Sequence, residues 1–559
     1  MAKLLNINKD NKDVDTLYII PENISDNVQG LLNNYLLPLP KDVRTKIVFV
    51  SVFVPKKGVL KKNILLEELE EVNKVLSIYD IKNIVVCNVN YYKFFLKANK
   101  KPEFERDIGS VKVIEYNGVK YNLTPQINHI VLNFQPNKKK LLDVGNNLIQ
   151  ELLQGTYVDN TKEYLESLDI RLLKDVKTVK AYLNKALNQP LLTCDIEATG
   201  LKWFVDDLLT ISFSVNDKVG FSIPLHKVYT DDWEELRQVV KQFVIDYKGE
   251  LIFHNASYDV PFLVYHLFMN DVTDTKNMIY GVNQFNVGDT MIMAWLCLNN
   301  VDKPKLGLKH LAYHKFGNWD DDINQSKLIT YPFEKVGTYN TIDTFATLEI
   351  YNKYYKQLVE EGLEDLYNNF YRPFLKGLMK MKMNGITLNK QGFEELKDKF
   401  ETMYDELYNE LMSFEQVQET ETILKYIELS KRNAKLKTKQ LTINEIDFKL
   451  NPKSSNQVRI LLFQVMGLPE QEKSKDTGQP KTDKDTINKL LAMLKEGSDE
   501  FRIVQILQEI GEMKTVKSTF VDGLLEQGIE DSEGNFKIFG NFNINGTVSG
   551  RLSSSNPLY

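Results

Sequence analysis

The apolar and polar positions of the chain fall into three textures. Over about residues 1–180, continuous apolar runs alternate with helical spacing. Lys46 to Val54 is a long apolar run closed by Pro55, which predicts a buried strand. Leu65 to Ile78 has helical spacing, and Ile84-Val85-Val86-Cys87 predicts a second buried strand. Val111 to Tyr121 predicts a hairpin turning at Asn117-Gly118, because both central positions of a type I′ turn need positive φ. Ile130 to Phe134 predicts a last short strand, and Leu141 to Leu153 a helix. From about 185 to 358, three strands come in succession: Leu191 to Glu197, Leu208 to Val215 and Val219 to Pro224. A helix (Trp233 to Tyr247), a strand (Leu251 to Phe253) and three more helical stretches follow. From about 360 the pattern is helical, with long amphipathic stretches at Leu363 to Met383 and Gln391 to Leu429. A β-like texture is expected there only near the end, at Phe536 to Asn545. The expectation is a multidomain chain: an α/β domain over 1–184, a second α/β domain over 185–358 and a mostly α-helical region over 359–559.

Composition narrows the class. Of 559 residues, 43% are hydrophobic and 26% charged, which argues against a largely disordered or collagen-like chain. No stretch approaches the ~18 consecutive apolar residues of a membrane helix, so no membrane partner is expected. Met1 to Asn6 leads into charged residues without the apolar core of a signal peptide. Cys87, Cys194 and Cys297 are too few and too far apart for a disulfide framework or a cysteine metal site. A reducing, cytoplasmic setting is expected. Lys+Arg is 70 against Asp+Glu 76, a net charge of −6, so polyanion binding has to come from local patches.

Three short motifs carry candidate chemistry. Asp195-Ile196-Glu197 ends the first apolar strand of the second region, and in a strand i and i+2 share a face. Two solvated acids at a strand end are the bland alternative, and Asp232-Trp233-Glu234 and Asp531-Ser532-Glu533 have the same spacing. Asn255-Ala256-Ser257-Tyr258-Asp259 follows a strand and opens a helix, where Asn and Ser cap and an acid suits the dipole. Tyr339 and Asp343 share a helix face at i, i+4. Alone, each motif is ordinary; their order is not. Asp-x-Glu, then Asn-x-x-x-Asp, then Tyr-x-x-x-Asp resembles the DEDDy 3′–5′ exonucleases, the proofreading domains of DNA polymerases on a ribonuclease-H-like fold. Asp289-Thr290-Met291 and Leu306 to Ala312 match that family's stretch between its second and third motifs.

The resemblance implies a mechanism. Phosphodiester cleavage needs hard oxygen ligands around two Mg²⁺ or Mn²⁺ ions about 4 Å apart. Asp195, Glu197, Asp259 and Asp343 would be those ligands, and Tyr339 would orient the attacking water. Asn255 and Tyr258 match positions near the 3′-terminal nucleotide, and Leu201 matches an apolar residue that wedges against its base. Tyr331 or Phe333 is a candidate aromatic partner, with core packing the alternative for both.

The third region resembles family A DNA polymerases, the DNA polymerase I family. Tyr371-Arg372-Pro373-Phe374-Leu375 with Asn384 to Leu388 matches the junction into the polymerase part. Leu450-Asn451-Pro452-Lys453-Ser454-Ser455-Asn456-Gln457, Lys481-Thr482-Asp483 and Lys514 to Phe520 match the thumb. Gly546 to Pro557, containing Ser549-Gly550-Arg551-Leu552-Ser553-Ser554, matches the start of the palm. The resemblance implies contact with primer–template DNA. Arg551 matches a residue that reads the minor groove, and Lys431, Arg432, Lys435 and Lys437 form an acid-free basic stretch suited to phosphates. The palm and fingers carboxylates lie outside the match, so polymerisation is expected only with a separate or missing palm-and-fingers segment. Residues 1–184 faintly resemble uracil-DNA-glycosylase-like domains. Gln126-Ile127-Asn128-His129 stands where a catalytic His loop would follow Pro125, so a non-catalytic accessory domain is expected. The leading expectation is the N-terminal part of a replicative polymerase with an active proofreading exonuclease on single-stranded DNA, from a large phage and hence in host cytoplasm. The alternative is a DNA-binding assembly subunit that docks a separate palm-and-fingers chain.

Overall fold

The computed structural model describes residues 3–5, 13–21, 28–54, 60, 62–98, 103–298, 300–319, 323–434, 436, 440–474 and 478–555. Lys435, Lys437, Asn556 and Pro557 lie outside the described residues. The chain divides into two compact units, Met1–Phe268 with Gly281–Lys376, and Met269–Tyr280 with Gly377–Tyr559.

The first unit holds two six-stranded sheets. The first has the order β1-β3-β2-β4-β6-β5, from β1 (Lys3–Leu5), β2 (Thr16–Pro21), β3 (Ile47–Val52), β4 (Asn83–Val86), β5 (Lys112–Tyr116) and β6 (Val119–Pro125). Its four central strands are parallel and its edges antiparallel. Alternate residues serve opposite faces. Leu17, Ile19, Val48 and Val50 pack with Leu65, Leu69 and Val72 of the helix Lys62–Ile78. Tyr18, Ile20 and Phe49 pack with Leu142 and Ile149 of the helix Lys139–Gln154. Both faces are covered, as a parallel sheet requires. The hairpin turns at Asn117 (φ 51°) and Gly118 (φ 78°), both positive as expected.

The second sheet has the order β12-β11-β8-β9-β10-β7, from β7 (Asp169–Leu172), β8 (Leu191–Ala198), β9 (Leu208–Ser214), β10 (Val219–Pro224), β11 (Glu250–Phe253) and β12 (Val287–Asp289). β8 pairs antiparallel with β9, with Asp195 opposite Ser212 and Glu197 opposite Thr210, and a bulge falls between Glu197 and Ala198. The helix Phe333–Glu360 lies on this sheet. Its approach is close: a Cβ on Gly220 of β10 would come 2.7 Å from Thr341 and 2.9 Å from Phe345.

The second unit is mostly helical. The helices Lys390–Ser413, Glu415–Asn433, Lys484–Leu491 and Asp499–Val516 surround one core that includes Leu411, Val417, Leu424, Leu461, Ile487, Ile503 and Leu507.

Several sequence expectations are corrected. Ile130 to Phe134 is not a strand; Asn128 accepts from Ile130 N at 3.0 Å and starts a 3₁₀ turn over His129–Asn133, so the cap overrides β-branched propensity. Gln391 to Leu429 is two helices broken at an extended Phe414 (ψ 137°), which lets Leu411 and Leu424 share one core. Leu363 to Met383 is interrupted by a π-turn at Tyr367–Tyr371. The helical stretches after Phe253 enclose an unforeseen strand, β12. β structure also occurs early in the last region: β13 (Ile386–Leu388) pairs with β15 (Phe536–Ile538), beside β14 (Ile529–Glu530). Gly385, at φ 64°, makes that turn, and any Cβ there would meet Ile538 O at 2.6 Å.

Candidate active site

The end of β8 carries the first two acids. Cys194, Ile196 and Ala198 are buried, and the alternating Asp195 and Glu197 are half-buried. Their face is that of Thr193, whose Oγ1 donates to Thr344 O on the long helix at 2.9 Å. The same helix brings Tyr339, Asn340 and Asp343 to them. Carboxylate oxygens of Asp195, Glu197 and Asp343 all lie within 4.8 Å of one another. Asp259 stands apart from this trio. It is buried in the first turn of the helix Ala256–Phe268, and its Oδ1 accepts from Ile196 N, between the two strand acids, at 3.3 Å.

Neutral groups orient the acids. Asn340 Nδ2 donates to Asp195 Oδ2 at 2.6 Å. Its amide orientation follows from its other side: Thr210 Oγ1 at 3.3 Å and Ser212 Oγ both donate to Asn340 Oδ1. Trp319 Nε1 donates to Asp343 Oδ1 at 2.6 Å, and the Lys309 ammonium donates to the same oxygen. Gln325 Nε2 donates to the Tyr339 hydroxyl at 3.1 Å. Asp289 ties the neighbouring helix starts together, accepting from Ala256 N and Met291 N at 2.8 Å each.

The electrostatics are those of crowded acids. Burial pushes Asp195 well above the usual carboxylate range, and Asp259, Asp343 and Glu197 add to it. Glu197 is raised by burial and then Asp343, Asp259 by burial against the opposing backbone donors. Tyr339 is raised by burial and by Asp343, so it stays a neutral phenol at working pH. His254 is pulled down to about 4 by burial. It is therefore neutral, and its Nε2–H donates to Leu306 O at 2.8 Å.

The site fits hard divalent cations. Its donors are carboxylate oxygens, their mutual repulsion calls for positive charge, and an ammonium already stands among them.

Residues 170–359 match the family described as 3′-5′ exonuclease, and residues 415–558 match DNA polymerase family A. The chain carries a 3′-5′ exonuclease domain and a family A DNA polymerase region. It is 25% identical over 501 residues to the DNA polymerase of Escherichia phage T5, covering 84% of this chain and 52% of that one. It is 26% identical over 379 residues to DNA polymerase I of Borreliella burgdorferi, covering 66% and 34%. The chain thus spans about half, or less, of the length of these relatives. A solved structure described as the POL domain of Pol1 from M. smegmatis in complex with DNA primer-template and dNTP is similar with a TM-score of 0.48 and 18% identity, over 70% of this chain and 55% of that one.

Within the exonuclease domain, Leu201 is 82% exposed, and the preceding Gly200 O accepts from Tyr258 OH at 2.9 Å. Asn255 is exposed at φ 75° between β11 and the Asp259 helix. Phe333 is buried, and Tyr331 packs beside Leu209, Leu328 and Val336, so both serve the core. In the polymerase region, Lys431 and Arg432 end the helix Glu415–Asn433, and Arg432 Nε is held by Glu428 at 2.7 Å. Arg551 is exposed. A groove of about 400 Å³ in the same region has Lys453, Ser455, Thr482, Lys514 and Ser518 among its lining residues. Lys453 and Lys514 were within reach of the sequence, since both sit in the thumb-like segments. Lys309 and Asn340 lie inside stretches the sequence singled out, Leu306 to Ala312 and Tyr339 to Asp343, but no spacing rule marks their roles, and Trp319 lies in no quoted motif.

Proposed function

We propose that the acidic cleft is a two-metal 3′–5′ exonuclease site acting on DNA, the proofreading site of a replicative family A polymerase. The observation that carries this is the convergence of Asp195, Glu197 and Asp343 inside the exonuclease domain. Asp195, Glu197, Asp259 and Asp343 would hold Mg²⁺ or Mn²⁺. Such ions supply a nucleophile at neutral pH and stabilise the leaving oxygen. The chain's own residues do the rest. Asn340 fixes Asp195, Trp319 fixes Asp343, and the neutral Tyr339 hydroxyl hydrogen-bonds an attacking water. Leu201 offers an exposed apolar edge to a terminal base, with Tyr258 and Asn255 beside the strand end.

For the polymerase region we propose primer–template binding. The Lys453 and Lys514 groove suits phosphates, since lysines and hydroxyls position a backbone without reading sequence.

The test is digestion of 5′-labelled single-stranded DNA. The wild-type chain should shorten it from the 3′ end in Mg²⁺ or Mn²⁺ and stop on chelation, and Asp195→Ala should be inactive. Equal digestion by Asp195→Ala would defeat the assignment.

A further inference from the structure

Lys309, in the short turn of helix Leu308–Leu311, is held more tightly than a surface lysine. Its ammonium donates to Asp343 Oδ1, with side-chain exposures of 25% for the lysine and 7% for the aspartate. It lies 4.0 Å from the Trp319 ring centroid and 4.3 Å from that of Tyr339, so two π-faces hold it over the acids. Its segment is pinned on both sides. Leu306 O accepts from His254, and Lys305 pairs with Glu103, which is also 4.0 Å from His310 Nδ1. A solvated lysine would gain little from one ion pair. This one is only 25% exposed, charge-assisted and held against two rings.

Resting on the exonuclease reading, we propose that Lys309 is a positioning residue that neutralises the cleft before metal enters and competes with the dication for Asp343. Carboxylates this close repel, and one ammonium relieves part of that repulsion. A dication bound to the same acids has to displace it. Metal binding is therefore an exchange, in which Asp343 Oδ1 gives up an N–H donor to take a metal. The cleft stays assembled without metal, and its apparent metal affinity is weaker than the bare acids would give. Lys309 acts through Asp343, so its effect is on metal binding and on the metal-free fold.

The test uses the full chain and two readouts other than nuclease activity: Mn²⁺ titration followed by electron paramagnetic resonance, and melting temperature in EDTA. Lys309→Met should tighten Mn²⁺ binding by roughly tenfold and lower the melting temperature in EDTA. Lys309→Arg should restore that temperature, and in an Asp343→Asn background Lys309→Met should no longer lower it. Unchanged or weaker Mn²⁺ binding, or an unchanged melting temperature in EDTA, overturns the proposal. Should Lys309→Met not fold, the Asp343→Asn, Lys309→Met double variant decides: its folding supports the proposal, and its failure to fold contradicts it. If Asp195→Ala binds Mn²⁺ as the wild type does, the exonuclease reading itself fails, a different result from a neutral Lys309→Met.

Discussion

Around the first sheet the buried acids stand apart from one another and each finds a donor, Glu68 from Phe53 N and Asp107 from Arg106 and Tyr92, whereas the second sheet gathers like charges. Tyr18 OH, Ser51 Oγ and both His129 ring nitrogens are buried with no hydrogen-bond partner among the described residues, and all are neutral groups. Burial raises Tyr18 and lowers His129, which keeps each uncharged. The buried Asp107 is met by Arg106 at 2.8 Å. At the end of β8, by contrast, three carboxylates converge with a fourth behind them, and one lysine answers the set. Two sheets of the same size and class therefore differ in what burial is asked to do. One neutralises its polar groups and contributes packing. The other holds a charge arrangement that is unfavourable without a cation, and such arrangements mark sites rather than folds.

The largest expected effect breaks the second sheet's chemistry without its fold. Asp195→Ala should lower exonuclease turnover by on the order of a thousandfold or more, since a metal ligand supplies several kcal/mol in the transition state. Its melting temperature in EDTA should not fall, because the change removes a repelling charge. A variant that is active, or that unfolds, would erase the contrast.

The first sheet should answer in stability alone. Tyr35 OH donates to Ile127 O at 2.7 Å and accepts from His129 N at 2.9 Å. Tyr35→Phe leaves both buried groups unmet and should cost about 1–3 kcal/mol in denaturant unfolding, with exonuclease kinetics unchanged. His129→Ala should likewise spare nuclease activity. Release of free uracil from uracil-containing DNA by the wild type, lost in His129→Ala, would show that this sheet carries chemistry of its own.

The pH dependence of the metal-free fold sharpens the comparison. Asp195, Glu197 and Asp259 hold protons to higher pH in the folded state than in the unfolded chain. Above about pH 4 the folded state then binds more protons, so these groups make stability fall as pH rises toward their folded values. Melting in EDTA across that range should show a negative slope that Asp195→Asn flattens and Mn²⁺ reduces. An equal slope in both proteins would mean that the acids are not coupled.

Smaller effects come last. Tyr339→Phe removes a hydroxyl and no metal ligand, so single-turnover digestion should slow by roughly tenfold. Lys514→Ala should weaken DNA binding modestly and lower the salt dependence by about one counterion. A salt titration of a fluorescent primer–template measures it, and an unchanged slope would remove Lys514 from the interface.

Each sheet had four of its six strands legible as apolar runs or a hairpin, and the second also showed acids at i, i+2 and i, i+4 spacing, but its edge strand β7 fell inside the 1–184 domain drawn from the sequence. What stayed hidden depends on contacts between distant segments. Asn340 matters through Thr210 and Ser212 on a neighbouring strand, and Lys309 through a loop returning to the long helix. β12 is only three residues, and its Asp289 caps the next helix, so no period reveals it. The break at Phe414 has no Pro or Gly to announce it, and follows from core geometry. In the first sheet β2 was overlooked, although all six of its residues are buried, because a short run beside charged residues resembles a loop. The groove draws Lys453 and Lys514 from two separate segments, so no single charge run reveals it.

Anomalous diffraction from Mn²⁺-soaked crystals of the full chain tests most directly whether these acids are kept together for a cation. Manganese peaks bound by Asp195, Glu197 and Asp343, with the Lys309 ammonium withdrawn from Asp343, are the expected result. A cleft still bridged by Lys309 and without manganese, in crystals that bind the ion elsewhere, would contradict it.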